Sequence, residues 1–125
     1  MKSKQSTIRS LDRLAEDLLL ARPTQDLHRV AEQFAVAITP AIRSLIDRNA
    51  PFDPIAAQFV PSKAELTVGA DEVADPISDE AFSPVKGIVH RYPDRALLKL
   101  TLSCPVHCRF CFRREQLDTP GGTLA

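Results

Sequence analysis

The stretch RALLKLTLSCPVHCRFCF, residues 95–112, decides the expected fold, because an apolar run leads directly into three closely spaced cysteines. Its first eight residues, 95–102, are typical of a buried strand in a parallel sheet, and a turn signal at residues 92–94 precedes them. A parallel strand needs neighbours, and the sequence offers no second good strand candidate. We therefore expect this stretch to be the first strand of an α/β fold that the chain does not complete.

The cysteine loop that follows this strand, residues 104–111, has the spacing C-x3-C-x2-C. Three thiolates this close together can each bind one iron corner of a cubane cluster, which leaves the fourth iron without a protein ligand. An open coordination site is what a chelating small molecule needs, and S-adenosylmethionine can chelate through its amino and carboxylate groups. The loop therefore predicts a [4Fe–4S] cluster bound by Cys104, Cys108 and Cys111.

Two other interpretations of the cysteines remain open from the residues alone. The first is a zinc site in which His107 is the fourth ligand, although structural zinc sites usually take their ligands from two separated pairs. The second is a set of three buried thiols without a metal, which the neighbouring cations disfavour because positive charge stabilises thiolates. We expect His107 either to donate a hydrogen bond near the metal site without binding the metal, or to be exposed.

The overall composition is that of a globular protein, with 125 residues, 44% hydrophobic and 26% charged. Lys plus Arg equal Asp plus Glu at 16 each, so net charge favours no nucleic-acid partner. The charges are unevenly spread, since residues 61–80 are acidic and residues 86–114 are basic. A basic cleft in the second segment would suit a phosphate or carboxylate, and the alternative is a solvated basic face.

The start of the chain, MKSKQSTIRS, is not followed by an apolar run of signal-peptide length, and no apolar run could cross a membrane. The cysteines are odd in number and clustered, which argues against a disulfide framework and for a reduced compartment. We therefore expect a cytoplasmic protein without a membrane partner.

Residues 1–66 are predicted to form a helical N-terminal region, in which capping residues begin the helices. The predicted caps are Ser10, Thr24, Thr39 and Asp53, with a capping box formed by Ser62 and Glu65. The first helix is expected to continue to Arg22 and to bury Leu18, and the third to bury Ile42, Leu45 and Ile46.

Residues 67–94 are predicted to be an extended linker that includes the block HRYPDR, residues 90–95, up to Asp94. The acidic part of this segment, residues 67–86, contains two prolines and no sustained periodicity, so the alternative is disorder. Residues 95–125 would hold the first strand and the cysteine loop, and residues 120–125 resemble a loop that leads into a helix.

Residues 75–115 resemble the lysine 2,3-aminomutase family of the radical S-adenosylmethionine superfamily. The matching pieces are DPI at residues 75–77, HRYPDR, the strand, the cysteine loop and the pair Arg113-Arg114. A close relative isomerises lysine for the β-lysylation of elongation factor P. The resemblance implies a helical region followed by the first strand and cluster loop of a partial (β/α)6 TIM-like barrel. It covers nearly the whole chain, but only about the first third of a family member.

The resemblance also implies three cofactors, which are the [4Fe–4S] cluster, S-adenosylmethionine and pyridoxal 5′-phosphate. By the same resemblance, Phe110 packs near the adenine of S-adenosylmethionine, Arg91 and Arg95 contact the phosphate of the pyridoxal cofactor, and Tyr92 lies beside that cofactor. Arg113 matches the arginine that receives the substrate carboxylate. Without the family, Arg91 and Arg95 could equally brace the turn at residues 92–94.

The implied reaction is a 1,2-amino shift that converts lysine to β-lysine, or acts on lysine destined for elongation factor P or on glutamate. The family's Schiff-base lysine and substrate-binding acids would lie beyond residue 125, so no catalytic residue is assigned within this chain. We expect a truncated gene product or partial sequence that is inactive alone, and a homo-oligomer when full length. The alternatives are a small zinc or iron–sulfur module and a non-catalytic interaction fragment.

Overall fold

Short helices make up the first half of the chain in the computed structural model, which describes residues 6–118. The helices are α1 (Leu11–Glu16), α2 (Gln25–Gln33), α3 (Pro40–Leu45) and α4 (Pro54–Phe59). Two 3₁₀ turns follow at Lys63–Leu66 and Glu80–Phe82, and then two strands, β1 (Ile88–Tyr92) and β2 (Arg95–Leu98). The predicted loop at residues 120–125 lies outside the described residues.

The predicted helix starts are confirmed, because each capping side chain accepts a hydrogen bond from the backbone N–H three residues later. The confirmed caps are Ser10, Thr24, Thr39 and Asp53. The capping box is also present, with the backbone N–H of Ser62 donating to Glu65 Oε1 at 2.9 Å. Backbone N–H groups of Ala56 and Asp47 donate to Asp53 and hold the pKa of that carboxyl below its ordinary value.

The predicted length of the first helix is wrong, because α1 ends at Glu16 rather than at Arg22. Leu18 has a φ of 58° in the left-handed region, and its side chain is exposed. The N–H of Leu19 bonds to the carbonyl of Leu14, and the N–H of Leu18 bonds to that of Ala15. This pair of bonds is the Schellman ending of a helix, whose left-handed position is usually a glycine.

The predicted buried face of α3 is partly wrong. Ile46 is buried, but Leu45 is 63% exposed, and Arg43 is buried instead. The guanidinium of Arg43 lies 2.7 Å from the carboxylate of Asp17, and both side chains are largely buried. This ion pair joins residues 26 positions apart, so helical periodicity gave no sign of it.

The hydrophobic core lies among the four helices. Its centre is formed by Ile8, Leu11, Leu14, Leu27, Val36, Ile38 and Phe59. Ile8 and Ile38 also exchange backbone hydrogen bonds of 2.9 and 3.0 Å, which joins the start of the chain to the segment before α3. None of the helices within residues 6–118 is long and apolar enough to cross a bilayer.

The expected buried parallel strand at residues 95–102 is wrong. Strand β2 covers only Arg95–Leu98, its residues are exposed, and it pairs antiparallel with β1. The two residues Pro93 and Asp94 close a hairpin between them, so the turn signal predicted the position of the turn but not the strand before it. The mixed helix and strand content is confirmed, while residues 6–118 contain no parallel strand pair of a barrel. The division at residues 66 and 94 stays a prediction.

Candidate functional site

The cysteine loop is attached to the helical core rather than to the hairpin before it. The backbone N–H of His107 donates to the carbonyl of Ala37 at 2.9 Å, and that of Arg109 donates to the carbonyl of Gln58 at 2.7 Å. The side chains of Val106 and Cys108 pack against the core. The helices therefore fix where the middle of the loop lies.

Arg109 is the most tightly held side chain of the loop, and its side chain is 5% exposed. It forms a bidentate pair with Glu65, in which Nε and Nη2 lie 3.1 and 2.7 Å from the two carboxylate oxygens. Its Nη1 donates to the carbonyl of Ala35 at 3.1 Å. Bidentate charged pairs are the strong ones among side-chain hydrogen bonds, so this contact holds the loop to the helical region.

Arg114 shares the same carboxylate. Its Nη1 lies 3.4 Å from Glu65 Oε2 and 3.2 Å from the carbonyl oxygen of Arg109. Its guanidinium carbon lies 3.7 Å from the ring centroid of Phe34, which is a cation–π contact. One glutamate thus holds an arginine on each side of Cys111. The sequence analysis had predicted Glu65 only as part of a capping box.

His107 is buried, with 5% exposure. The prediction that it could be an exposed residue is therefore wrong. Its Nδ1 lies 3.1 Å from the carbonyl oxygen of Ala35. Its Nε2 lies 2.9 Å from Asp118 Oδ2, off the line of a well-formed hydrogen bond. Both ring nitrogens therefore face oxygens. Within residues 6–118 no three His, Cys, Asp or Glu side chains converge on a single metal ion.

The three cysteines are free thiols, and each is half-buried. They are accessible to a ligand from outside, which does not favour the interpretation as sealed structural thiols. A cubane takes each cysteine on a separate iron, so its sulfur ligands do not need to converge on one ion. Three free thiols in a loop braced by arginines therefore fit the donor chemistry of a [4Fe–4S] cluster.

Four of the predicted cofactor- and substrate-binding residues line one cleft of about 360 Å³. They are Arg91, Tyr92, Arg95 and Arg113. Because the cleft combines three guanidinium side chains with the ring of Tyr92, it has the chemistry to bind an anionic, ring-containing ligand. We call it the arginine cleft.

The alternative was that Arg91 and Arg95 brace the turn at residues 92–94, and only Arg95 makes such contacts. Arg95 Nε lies 3.8 Å from the carboxylate of Asp94, and its guanidinium lies over the ring of Tyr92 at 4.7 Å. Arg91 turns away to Asp79, at 3.6 Å. The two arginines are thus held by different acids.

Asp79 is a site residue that the sequence analysis missed. Its side chain is 4% exposed, and its Oδ2 accepts a hydrogen bond from Nε of Arg113 at 3.0 Å and lies 2.9 Å from Nη2 of the same arginine. Asp75 accepts from the backbone N–H groups of Glu80 and Asp79, which lowers the pKa of Asp75 and holds the turn that carries Asp79. Asp75 and Pro76 are a turn-initiating pair, which was the one available signal.

Phe110 and Cys111 lie in a second cleft, of about 590 Å³, between the cysteine loop and the acidic segment. Phe110 is 74% exposed, and Arg109 and Arg114 also line this cleft. The predicted site residues therefore fall into two groups. One group lines the arginine cleft, and the other lies on the cysteine loop.

Comparison with known proteins identifies relatives for most of the chain. It is 37% identical over 112 residues to the L-lysine 2,3-aminomutase of Clostridium subterminale, which covers 89% of this chain and 27% of the relative. It is 43% identical over 91 residues to the same enzyme of Acetoanaerobium sticklandii, covering 73% and 22%. It is 33% identical over 111 residues to the glutamate 2,3-aminomutase of Clostridioides difficile, covering 88% and 26%. No family model matches the chain.

These relatives define an isomerase class, the amino-acid 2,3-aminomutases. Within that class, this chain belongs to the lysine 2,3-aminomutase family. The chain spans about a quarter of the length of the curated relatives it matches.

Proposed function

We propose that this chain is the cluster-binding and anion-binding part of a radical S-adenosylmethionine, pyridoxal phosphate-dependent amino-acid 2,3-aminomutase. The observation that supports this most is the arginine cleft. Three arginines and a tyrosine to which the resemblance assigns contacts with cofactor and substrate line one space. A solvated basic face would not collect the same four residues around a single cleft.

The proposed cluster ligands are Cys104, Cys108 and Cys111, and Phe110 is the proposed contact of the adenine. When bound, the cluster and S-adenosylmethionine would supply the radical, and pyridoxal phosphate would hold the migrating amine. The part of this chain is to hold the thiols in a braced loop. The contacts of Arg109 with Glu65 and with the backbone of residues 34 and 35 support that role.

In the arginine cleft, Arg91 and Arg95 are proposed to bind the cofactor phosphate, since guanidinium groups match phosphate oxygens in a bidentate geometry. Tyr92 would lie beside the cofactor, and Arg113 would receive the carboxylate of the substrate. The cleft carries Asp79 as a buried counter-charge, so its arginines are paired before any ligand enters.

The substrate is proposed to be lysine, with lysine destined for elongation factor P and glutamate as the other candidates. Relatives carry the names of both a lysine and a glutamate enzyme. All these substrates present the same α-carboxylate to Arg113. The arginine cleft therefore recognises what they share and does not choose between them.

Anaerobic reconstitution with iron and sulfide tests the cluster. We expect about four irons per chain, the stoichiometry of a [4Fe–4S] cluster, and a paramagnetic signal of the reduced protein that changes when S-adenosylmethionine is added. Cys108→Ala should abolish the signal, and Ser103→Ala, next to the first cysteine, should leave it unchanged. Stoichiometric zinc, or a signal that does not respond to S-adenosylmethionine, would contradict the proposal.

A further inference from the structure

Asp79 is a buried carboxylate to which the proposed function gives no role beyond counter-charge. Burying an unpaired carboxylate is strongly unfavourable, so its partners decide what it does. Its Oδ2 accepts a hydrogen bond from Nε of Arg113 at 3.0 Å and lies 2.9 Å from Nη2 of that arginine, and its Oδ1 lies 3.6 Å from Nη2 of Arg91. A single carboxylate thus joins the two arginines that are proposed to receive different anions.

Both arginines have further contacts that restrict their side chains. The guanidinium of Arg91 lies 4.5 Å from the ring centroid of Phe82 and donates to the carbonyl of Ile77. That of Arg113 lies 4.5 Å from the ring centroid of Phe112. Each guanidinium is therefore held by an aromatic face and by an acid, and only the acid is common to both.

The backbone around Asp79 is fixed as well. Its N–H donates to Asp75 Oδ1 at 2.9 Å, and the hydroxyl of Ser83 donates to its carbonyl oxygen at 2.7 Å. The carboxylate consequently starts from a defined position at the Glu80–Phe82 turn. Because the turn fixes the carboxylate, it also restricts the two guanidinium groups of the arginine cleft that the carboxylate contacts.

We infer that Asp79 is a positioning residue, which holds Arg91 and Arg113 at a fixed separation and thereby couples the phosphate-binding and carboxylate-binding parts of the arginine cleft. This inference rests on the proposed function of that cleft. An arginine that is already ordered loses less conformational freedom when an anion binds, so the anion binds more tightly. A purely electrostatic role has the opposite sign, because a negative charge next to the cleft repels an anion.

Inorganic phosphate is the probe that separates the two signs. We expect Asp79→Asn to weaken phosphate binding about tenfold, from the lost ordering of two side chains. Asp79→Glu keeps the charge but displaces it by one methylene group, and a loss of only about threefold is expected. Glu80→Gln removes the same charge from the exposed neighbouring residue and should leave phosphate affinity unchanged.

A second measurement reads the ordering without any ligand. The Nε–H resonance of Arg113 in a nuclear magnetic resonance spectrum should be protected from exchange in the original protein and in Glu80→Gln. It should lose that protection in Asp79→Asn, because this Nε–H donates to the carboxylate of Asp79. If Asp79→Asn does not fold, Asp79→Glu must still give a measurable part of both effects.

Phosphate affinity that is unchanged or higher in Asp79→Asn overturns the inference, and so does an original protein that does not bind phosphate. Failure of the cluster experiment is a separate result, since Asp79 has no contact with the three cysteines among the hydrogen bonds and ion pairs described above. If the original protein holds no cluster but Asp79→Asn binds phosphate more weakly, this inference stands and the radical chemistry is refuted.

Discussion

The helical region and the β-hairpin differ in what covers their apolar side chains. Leu14 and Ile38 in the helical region are fully buried, whereas Leu97, Leu98 and Leu100 at and after the hairpin are 46–64% exposed. The cysteine loop follows the hairpin in sequence but packs on the helical region. The location of the loop is therefore decided by burial against distant helices and not by the strand that leads into it.

The two regions are linked through the adjacent residues Arg113 and Arg114. Arg113 pairs with Asp79 beside the hairpin, and Arg114 pairs with Glu65 beside the helices. Each acid also holds a second arginine, Arg91 in the first case and Arg109 in the second. The end of the cysteine loop is thus held between two acids that lie in different parts of the fold.

The largest contrast between the regions should come from equal truncations of leucine. Leu14→Ala removes a fully buried side chain and should lower the free energy of unfolding by about 3 kcal/mol. Leu98→Ala removes one that is 55% exposed, and a change within about 0.5 kcal/mol is expected. Urea unfolding measures both, and equal losses would show that the hairpin is covered as well as the helical core.

The next effect concerns the acid on the helical side. Glu65→Gln leaves the buried Arg109 without a charged partner and should cost about 2 kcal/mol, since breaking a largely buried pair strands the other charge. Urea unfolding gives this value, and iron retained after reconstitution should fall with it. Glu80→Gln is the exposed control and should retain iron as the original protein does. If Glu65→Gln retained as much iron as the original protein, the role given to Glu65 would be contradicted.

A smaller effect is expected where α1 ends. Leu18→Gly should stabilise the protein by about 1 kcal/mol, because a left-handed backbone is strained for every residue with a Cβ. Leu18→Ala is the matched control, since it removes the same exposed side chain and keeps the Cβ. Thermal unfolding separates the two, and equal melting temperatures would show that the ending of α1 carries no strain.

The smallest effect should be seen in acid. Backbone hydrogen bonds lower the pKa of Asp53 and of Asp75 in the folded chain, so both groups stabilise it above the ordinary aspartate pKa. That contribution is lost as the pH falls through the lowered values, from about pH 4 downward. Asp53→Asn should therefore flatten the acid limb of a stability profile, and an unchanged limb would contradict the assignment.

The parts of the fold that the sequence predicted are those set by neighbouring residues. The caps Ser10 and Thr39 depend on hydrogen bonds to a residue three positions away, so a short pattern contains the whole interaction. The family resemblance assigned Arg91 and Arg113 to two different ligands, and only the structure places them along one cleft. The pairing of Arg113 with Asp79 spans 34 positions, and no periodicity encodes it.

The wrong predictions have the same physical origin. The apolar residues at 95–102 favour an extended backbone by themselves. Whether the strand is buried and in which direction it pairs depend on what packs against it. In residues 6–118 that partner is β1, which lies on the far side of a two-residue turn and makes the pair antiparallel. Likewise, α1 was expected to continue past Leu18 because that residue fits the helical stripe. The Schellman bonds end the helix at Glu16, two residues before Leu18.

The attachment of the cysteine loop has a consequence for the order of assembly. Its contacts join residues 72 to 75 positions apart, from His107 and Arg109 to Ala35 and Phe34. During synthesis the N-terminal partner leaves the ribosome before the loop does. Until that long closure is made, the three thiols are as open to oxygen as those of any unfolded chain. Completion of folding therefore competes with thiol oxidation during that interval.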